Sequence, residues 1–246
     1  MNKSITKLRC LMAGALLLSA PLVMADDSPH EFSANVAIST DYLFRGISQT
    51  DNGPAISGGF DYTYAPAGFY LGTWASSIEF NDGGSPMEID YYAGFTGELS
   101  NGISWDIGGL YYDYPQDGSA GGPDYEYIEV KGALGYTFDA AWEPTVGVGV
   151  YYSPDFFGET DTGIAVEGSL DLSLPVWDLG LSTSVGYQDV DDIGEYEYWS
   201  VGLSKDISIF TFDVKYSDTG DAEDDFCAGG SDLCDATVVF SMSSSF

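Results

Sequence analysis

The sequence predicts an all-β chain, a transmembrane antiparallel up-and-down β-barrel of about twelve strands. Three observations carry this. After residue 25, apolar and polar residues alternate with period two over segment after segment, which is the pattern of strands with one apolar face. The links between segments run alternately long and short, as in barrels with long, here acidic, extracellular loops and short periplasmic turns. The last segment, Ala236 to Phe246, alternates to its end and finishes on an aromatic ring. A barrel's final strand must pair with its first to leave no open edge in lipid, whereas a soluble edge strand has little reason to stop there.

Composition narrows the class. There are 39 Asp and Glu residues against 7 Lys and Arg, which excludes nucleic acid as a partner because a phosphate backbone needs cations to neutralise it. Such acidity often means disorder, but 15% aromatic residues argue for a packed chain. Met1 to Ala25 reads as a secretory signal peptide. Lys3, Lys7 and Arg9 precede an apolar run from Cys10 to Met24, and Val23-Met24-Ala25 offers a small-residue cleavage site. That run is shorter than the roughly 20 residues a membrane helix needs. Residues 26–246 then form the barrel, with Arg45, Lys131, Lys205 and Lys215 as its cations. Export implies an oxidising compartment, so Cys227 and Cys234 are expected to form a disulfide.

The elements follow in order. The first segment, Glu31 to Phe44, carries Phe32, Val36, Ile38, Tyr42 and Phe44 on one face, with Ser33, Asn35, Ser39 and Asp41 opposite. After the polar link Arg45 to Gly53 come Ile56, Phe60, Tyr62 and Tyr64, then the tight turn Ala65 to Gly68. Phe69 to Phe80 is less regular, and Tyr70, Trp74, Ile78 and Phe80 favour an apolar even face. The acidic link Asn81 to Glu88 leads to Ile89, Tyr91, Ala93, Phe95 and Leu99, and Ser100-Asn101-Gly102 turns the chain. Ile103, Trp105, Ile107 and Tyr111 oppose Ser104 and Asp106. The loop Asp113 to Asp124 precedes Ile128, Val130, Leu134, Tyr136 and Phe138, which oppose Tyr127, Glu129 and Lys131. Val146, Val148, Val150 and Tyr152 come next. The acidic link Ser153 to Thr162 precedes Ile164, Val166, Leu170, Leu172 and Leu174. Pro175 marks a turn before Trp177, Leu179, Leu181, Val185 and Tyr187, with Ser182, Ser184 and Gln188 opposite. The loop Asp189 to Glu195 precedes Trp199, Val201 and Leu203, and Lys205-Asp206 is read as a turn. Phe210, Phe212, Val214 and Tyr216 oppose Thr211, Asp213 and Lys215. Ser217 to Asp235 is the longest loop before the closing strand. Aromatic residues cluster near segment ends on the apolar face, including Phe32, Tyr42, Phe44, Tyr136, Trp177, Tyr187 and Phe246. These would form two interfacial girdles.

Ser39-Thr40-Asp41-Tyr42-Leu43-Phe44-Arg45-Gly46-Ile47-Ser48-Gln49-Thr50 resembles the opening signature of the TorF family of porins, also called the Gcw-chp family. Asp51 to Ala55, Gly58 to Tyr62 and Gly68 to Trp74 continue the resemblance. It implies a Gram-negative outer-membrane barrel and a pore, without naming a solute. The terminal segment likewise resembles the signal read by the outer-membrane assembly machinery, with Phe246 as its last residue.

Segment parity places Asp41, Arg45, Glu129, Lys131, Asp213 and Lys215 on the lumen side as candidate pore-lining residues. Opposed charges there would set a transverse field that filters solutes, or would pair and hold the shape of a narrow barrel. The excess of acids favours small cations or small polar solutes over anions. Outer-membrane lipid and lipopolysaccharide are the expected surroundings. The acidic loops read as solvated faces, Asp218 to Asp225 lacks EF-hand spacing, and no metal or cofactor is expected. Two other classes stand beside a passive channel: a closed structural or adhesive barrel, and an enzyme. His30 is the single histidine and precedes the first strand, so a Ser-His pair has no place on the wall.

Overall fold

A computed structural model describes residues 28–80, 84–115, 125–227 and 231–246. The expected signal peptide and its cleavage site lie outside the described residues, as do residues 81–83 of the acidic link after Phe80 and residues 116–124 of the loop before Tyr125. The elements in chain order are β1 (His30–Ser39), β2 (Leu43–Phe44), β3 (Ile47–Ser48), β4 (Ala55–Tyr64), β5 (Phe69–Ser77), β6 (Met87–Glu98) and β7 (Ile103–Asp113). There follow β8 (Tyr127–Thr137), β9 (Thr145–Ser153), β10 (Gly163–Leu174), β11 (Leu179–Val190), β12 (Gly194–Ile207), β13 (Phe210–Gly220) and β14 (Thr237–Ser245), with a short helix α1 (Ala222–Asp225) before β14.

β1 and β4 to β14 form a closed antiparallel barrel in which each strand pairs with its neighbours in sequence. β14 closes it on β1, in a register running from Asn35 opposite Ser245 to Ser39 opposite Ser241. Phe246 and Ala34 then exchange two further backbone hydrogen bonds of 2.9 and 3.1 Å. Every strand edge is thereby paired, which is the condition for crossing lipid with strands. β2 and β3 form a separate two-stranded sheet.

The faces are inverted relative to a soluble β protein. Phe60 is 65% and Ile107 60% exposed on the outside, while Glu129 and Gln188 are each 1% exposed within. Period-two alternation puts every second residue on each face, and here the apolar set faces out, as lipid requires. Phe32 packs on Tyr62, Tyr136 on Phe138, and Trp199 on Tyr216, with ring centroids 4.9 to 5.2 Å apart. The first two pairs lie near strand ends, where girdle contacts are expected, whereas Trp199 and Tyr216 sit within β12 and β13.

Four details differ from the sequence reading. β1 stops at Ser39, so Tyr42 and Phe44 leave the outer face, and Tyr42 is buried inside. Its alternation continued only because the following hairpin alternates too. On β5 the phase is reversed: Tyr70 and Trp74 face the lumen and Leu71 faces out. The register sets Trp74 opposite Asp90, a buried acid, and the two therefore share the inner face. The acidic link after Gln188 shrinks to residues 191–193, because Asp189 and Glu195 pair across a hairpin. That link is shorter than the 138–144 turn at the opposite rim, so the long–short alternation of links fails at this one place. Lys205 belongs to β12 rather than to a turn, and donates to the Trp177 carbonyl, with Asp178 at 3.7 Å. It faces outward at the rim and reaches for polar atoms there, as long cationic side chains do beside an apolar surface.

Candidate functional site

The barrel's interior is organised around the link 40–54, which turns into the lumen instead of arching over it. Leu43-Phe44 and Ile47-Ser48 pair through the two-residue turn Arg45-Gly46. Both turn residues have positive φ, 47° and 88°, the geometry of a primed hairpin turn, which glycine adopts freely at the second position. Asp41 braces the hairpin's base by accepting hydrogen bonds from the Ser48 and Thr50 hydroxyls, both at 2.8 Å. The Gln49 N–H bonds to the Tyr42 carbonyl at 2.8 Å. Burial pushes the Asp41 carboxyl above the ordinary carboxylate range, and its hydroxyl donors partly offset this.

Arg45, at the hairpin's tip, donates to Gln188 Oε1 on β11 at 2.6 Å and to Glu129 Oε2 on β8 at 2.9 Å. A second contact to Glu129 Oε1 is 2.8 Å, so the guanidinium grips the carboxylate with both arms. Its Cζ lies 4.7 Å from the Phe44 ring centre and 4.9 Å from that of Tyr151. Tyr112 donates to Glu129 at 3.0 Å. Nearer the long-loop rim, Tyr42 and Tyr114 donate to the two oxygens of Glu88, at 2.7 and 2.8 Å. Trp74, Tyr112, Tyr127 and the loop rings of Phe156 and Phe157 pack around them. Glu88 and Glu129 thus have donors on both oxygens, the condition under which charge is tolerated away from water. Asp90 Oδ1 and Asp41 Oδ2, by contrast, are buried without a hydrogen-bond partner among the described residues.

Below this layer Lys131 pairs with Asp106 at 3.1 Å, and Tyr70 donates to the same carboxylate at 2.9 Å. Tyr92 donates to Asp61 at 2.5 Å. Gly72 and Gly108 make room for these rings: a Cβ on Gly72 would meet Tyr92 at 2.6 Å, and one on Gly108 would meet the Tyr70 oxygen at 2.5 Å. The remaining wall is different. Ser169, Ser182, Ser184, Ser200, Asp213 and Lys215 line it, all partly exposed to the lumen. Ser184 and Ser200 share a 2.9 Å hydrogen bond.

The six candidates of the sequence reading therefore fall into four groups. Arg45 and Glu129 meet directly, although Arg45 comes from the hairpin and not from a wall strand. Asp41 likewise belongs to the hairpin, where it is structural. Lys131 meets Asp106, and Asp213 and Lys215 sit together on the hydroxyl wall. Gln188, Asp90 and Asp106 escaped selection although they share the inner-face parity of their strands. Glu88 escaped because the sequence reads it as a link. Cys227 and Cys234 are disulfide-bonded, with their Cα atoms 6.1 Å apart. They pack with Tyr196, Tyr198 and Ala222 against Ile47 of the hairpin. Among the described residues no group of three His, Cys, Asp or Glu is arranged to hold a metal ion. His30 lies exposed at the short-turn rim, 2.7 Å from the Tyr62 hydroxyl.

The barrel is similar to two solved porins. A structure described as "KdgM porin" aligns with a TM-score of 0.58 at 12% identity, over 87% of this chain and 99% of that one. The NanC porin aligns with a TM-score of 0.54 at 9% identity, over 87% of this chain and 98% of that one. Identities this low speak to the fold alone. No curated protein matches the chain in sequence. Residues 24–246 match the family model described as "Bacterial protein of unknown function (Gcw_chp)", and the chain belongs to that family.

Proposed function

We propose that the protein is an outer-membrane channel for passive diffusion of small cations or small polar solutes. The observation that carries this is the hydroxyl wall. Its serines, with Asp213 and Lys215, stay partly exposed inside a closed barrel whose outer face is apolar. A lumen that keeps polar side chains wet offers a solute a path along them. Selection would follow from width and from the sign of the lining charge, without covalent chemistry.

One KdgM structure is described as a complex with disordered oligogalacturonate, an anionic sugar chain. The present lumen places Glu88, Asp90, Asp106, Glu129 and Glu167 among its buried groups against Arg45 and Lys131. That balance disfavours a polyanion and favours cations or uncharged polyols. Lipopolysaccharide and outer-membrane lipid would surround the apolar band. The C-terminal segment ending in Phe246 would be read by the assembly machinery after a signal peptide, residues 1–25, directs export.

Reversal potential in a salt gradient across a planar bilayer tests the reading. A potential of the sign set by cation flow is expected, and anion preference would overturn it. A second reading, a closed barrel with a structural or adhesive role, has one observation in its favour: the hairpin occupies the lumen.

A further inference from the structure

The hairpin's contacts reach opposite sides of the barrel. Tyr42 bonds to β6, Arg45 to β8 and β11, and Gly46 lies against β12. A Cβ on Gly46 would come within 3.2 Å of Tyr198 Cβ. The hairpin therefore spans the lumen's cross-section. Yet β2 and β3 pair only with each other, so no strand ladder welds them to the wall. Side-chain bonds, the ring contacts Tyr42–Trp74 and Phe44–Tyr112, and a backbone bond from the Glu79 N–H to the Gln49 carbonyl at 2.9 Å hold the link in place. From the long-loop side, Ser48 N–H bonds to the Leu233 carbonyl at 2.9 Å and Asn52 donates to Asp232 at 3.0 Å. Leu233 neighbours Cys234, so the disulfide holds this second anchor in place. The chain reverses at four positive-φ residues, Arg45, Gly46, Asp51 and Asn52, clustered between the last residue of β1 and the first of β4.

The geometry points to a gate. The link 40–54 closes the lumen when docked, the Arg45–Glu129–Gln188 contact is its latch, and the disulfide-closed loop is its clamp. This rests on the channel reading above and adds its regulation: solutes cross only while the hairpin is undocked. The open path then runs along the hydroxyl wall, which the hairpin leaves partly exposed. Breaking the latch shifts the docked–undocked balance toward the open form. The charge-assisted bonds at stake are worth roughly a ten-fold shift or more.

Single-channel recording on the full-length folded barrel tests this, with folding checked by heat-modifiable gel mobility. Four forms are compared: wild type, Glu129→Gln, the pair Cys227→Ser with Cys234→Ser, and a chain whose residues 43–48 are replaced by a Gly-Ser linker. Wild type should open rarely. Glu129→Gln should raise open probability about ten-fold. The cysteine pair should raise it by less, and the linker chain should stay open. If Glu129→Gln fails to fold, Gln188→Ala reports on the same latch. Wild-type open probability in the latch and cysteine variants, with conductance in the linker chain, would overturn the gate and leave the channel standing. Silence in every form, the linker chain included, would overturn the channel reading itself.

Discussion

The two halves of the barrel wall are built alike outside and unlike inside. Facing the lumen, β5 to β9 present Tyr70, Trp74, Tyr92, Tyr112, Tyr127 and Tyr151, interleaved with acids and Lys131, nearly all buried. At the level below the hairpin, β10 to β14 present serines, Asp213 and Lys215, mostly part-exposed. Outside, both halves carry the same apolar band. Lipid imposes one solution on the outer face, whereas the inner face is free to be either a packed polar core or a wet surface. Rings fill width and bury their neighbours' charges. Hydroxyls on short side chains leave room for water.

The sharpest break of this comparison is at Glu129. Glu129→Ala removes both bonds to a buried guanidinium and the acceptor for Tyr112. Leaving one partner of a buried pair unmatched typically destabilises by about 3–5 kcal/mol. Urea unfolding of the barrel in lipid vesicles should show a loss in that range. A loss below 1 kcal/mol, on the order of a surface substitution, would mean that water already reaches this layer.

A step smaller is Lys131→Met. It removes the countercharge from Asp106, which keeps the Tyr70 hydroxyl as donor. A loss of about 1–3 kcal/mol in the same assay is expected, because a buried carboxylate is left under-satisfied but not orphaned. Should Lys131→Met match Glu129→Ala, the lower layer would be as dry as the upper one, and the packed half would be uniform rather than graded.

Much of this division was legible in the sequence. Ile128, Val130 and Leu134 point out while Tyr127, Glu129 and Lys131 point in, as period two requires, because a strand has no other way to place alternate side chains. What alternation cannot mark is where pairing with the wall ends. Residues 40–44 keep the period while leaving the barrel, so Tyr42 and Phe44 read as outer-face rings. The one local signal is Arg45-Gly46, a two-residue turn between apolar pairs, and its flanks are too short to announce a hairpin. Trp74 was misplaced for a related reason. A large ring belongs on a lipid face unless something inside needs packing, and that something is Tyr42, 5.2 Å away ring to ring. Asp189 and Glu195 look like loop residues because they are acidic, yet they pair as strand neighbours.

On the hydroxyl half, Lys215 makes no ion pair among the described residues, unlike Arg45 and Lys131. Its charge is felt by Asp213 and Glu167 on the wall, and in the proposed channel it would also face passing solutes. Lys215→Gln should move the reversal potential toward stronger cation preference with little change in stability. A shift toward anions, or none, would place the path elsewhere in the lumen.

The smallest expected effect is the most telling about water. Ser184 and Ser200 bond to each other across β11 and β12. Replacing both with Ala removes donor and acceptor together, so no buried polar atom is stranded, and solvent makes equivalent bonds to hydroxyls that stay wet. Under those conditions the double substitution should change unfolding free energy by no more than about 0.5 kcal/mol. If the wall were instead dry and packed like β5 to β9, removing two side-chain oxygens would open a gap and weaken a network. The loss would then approach that of Lys131→Met. Equal losses on both halves would make the lumen a single polar core, with no wet side for a solute to follow.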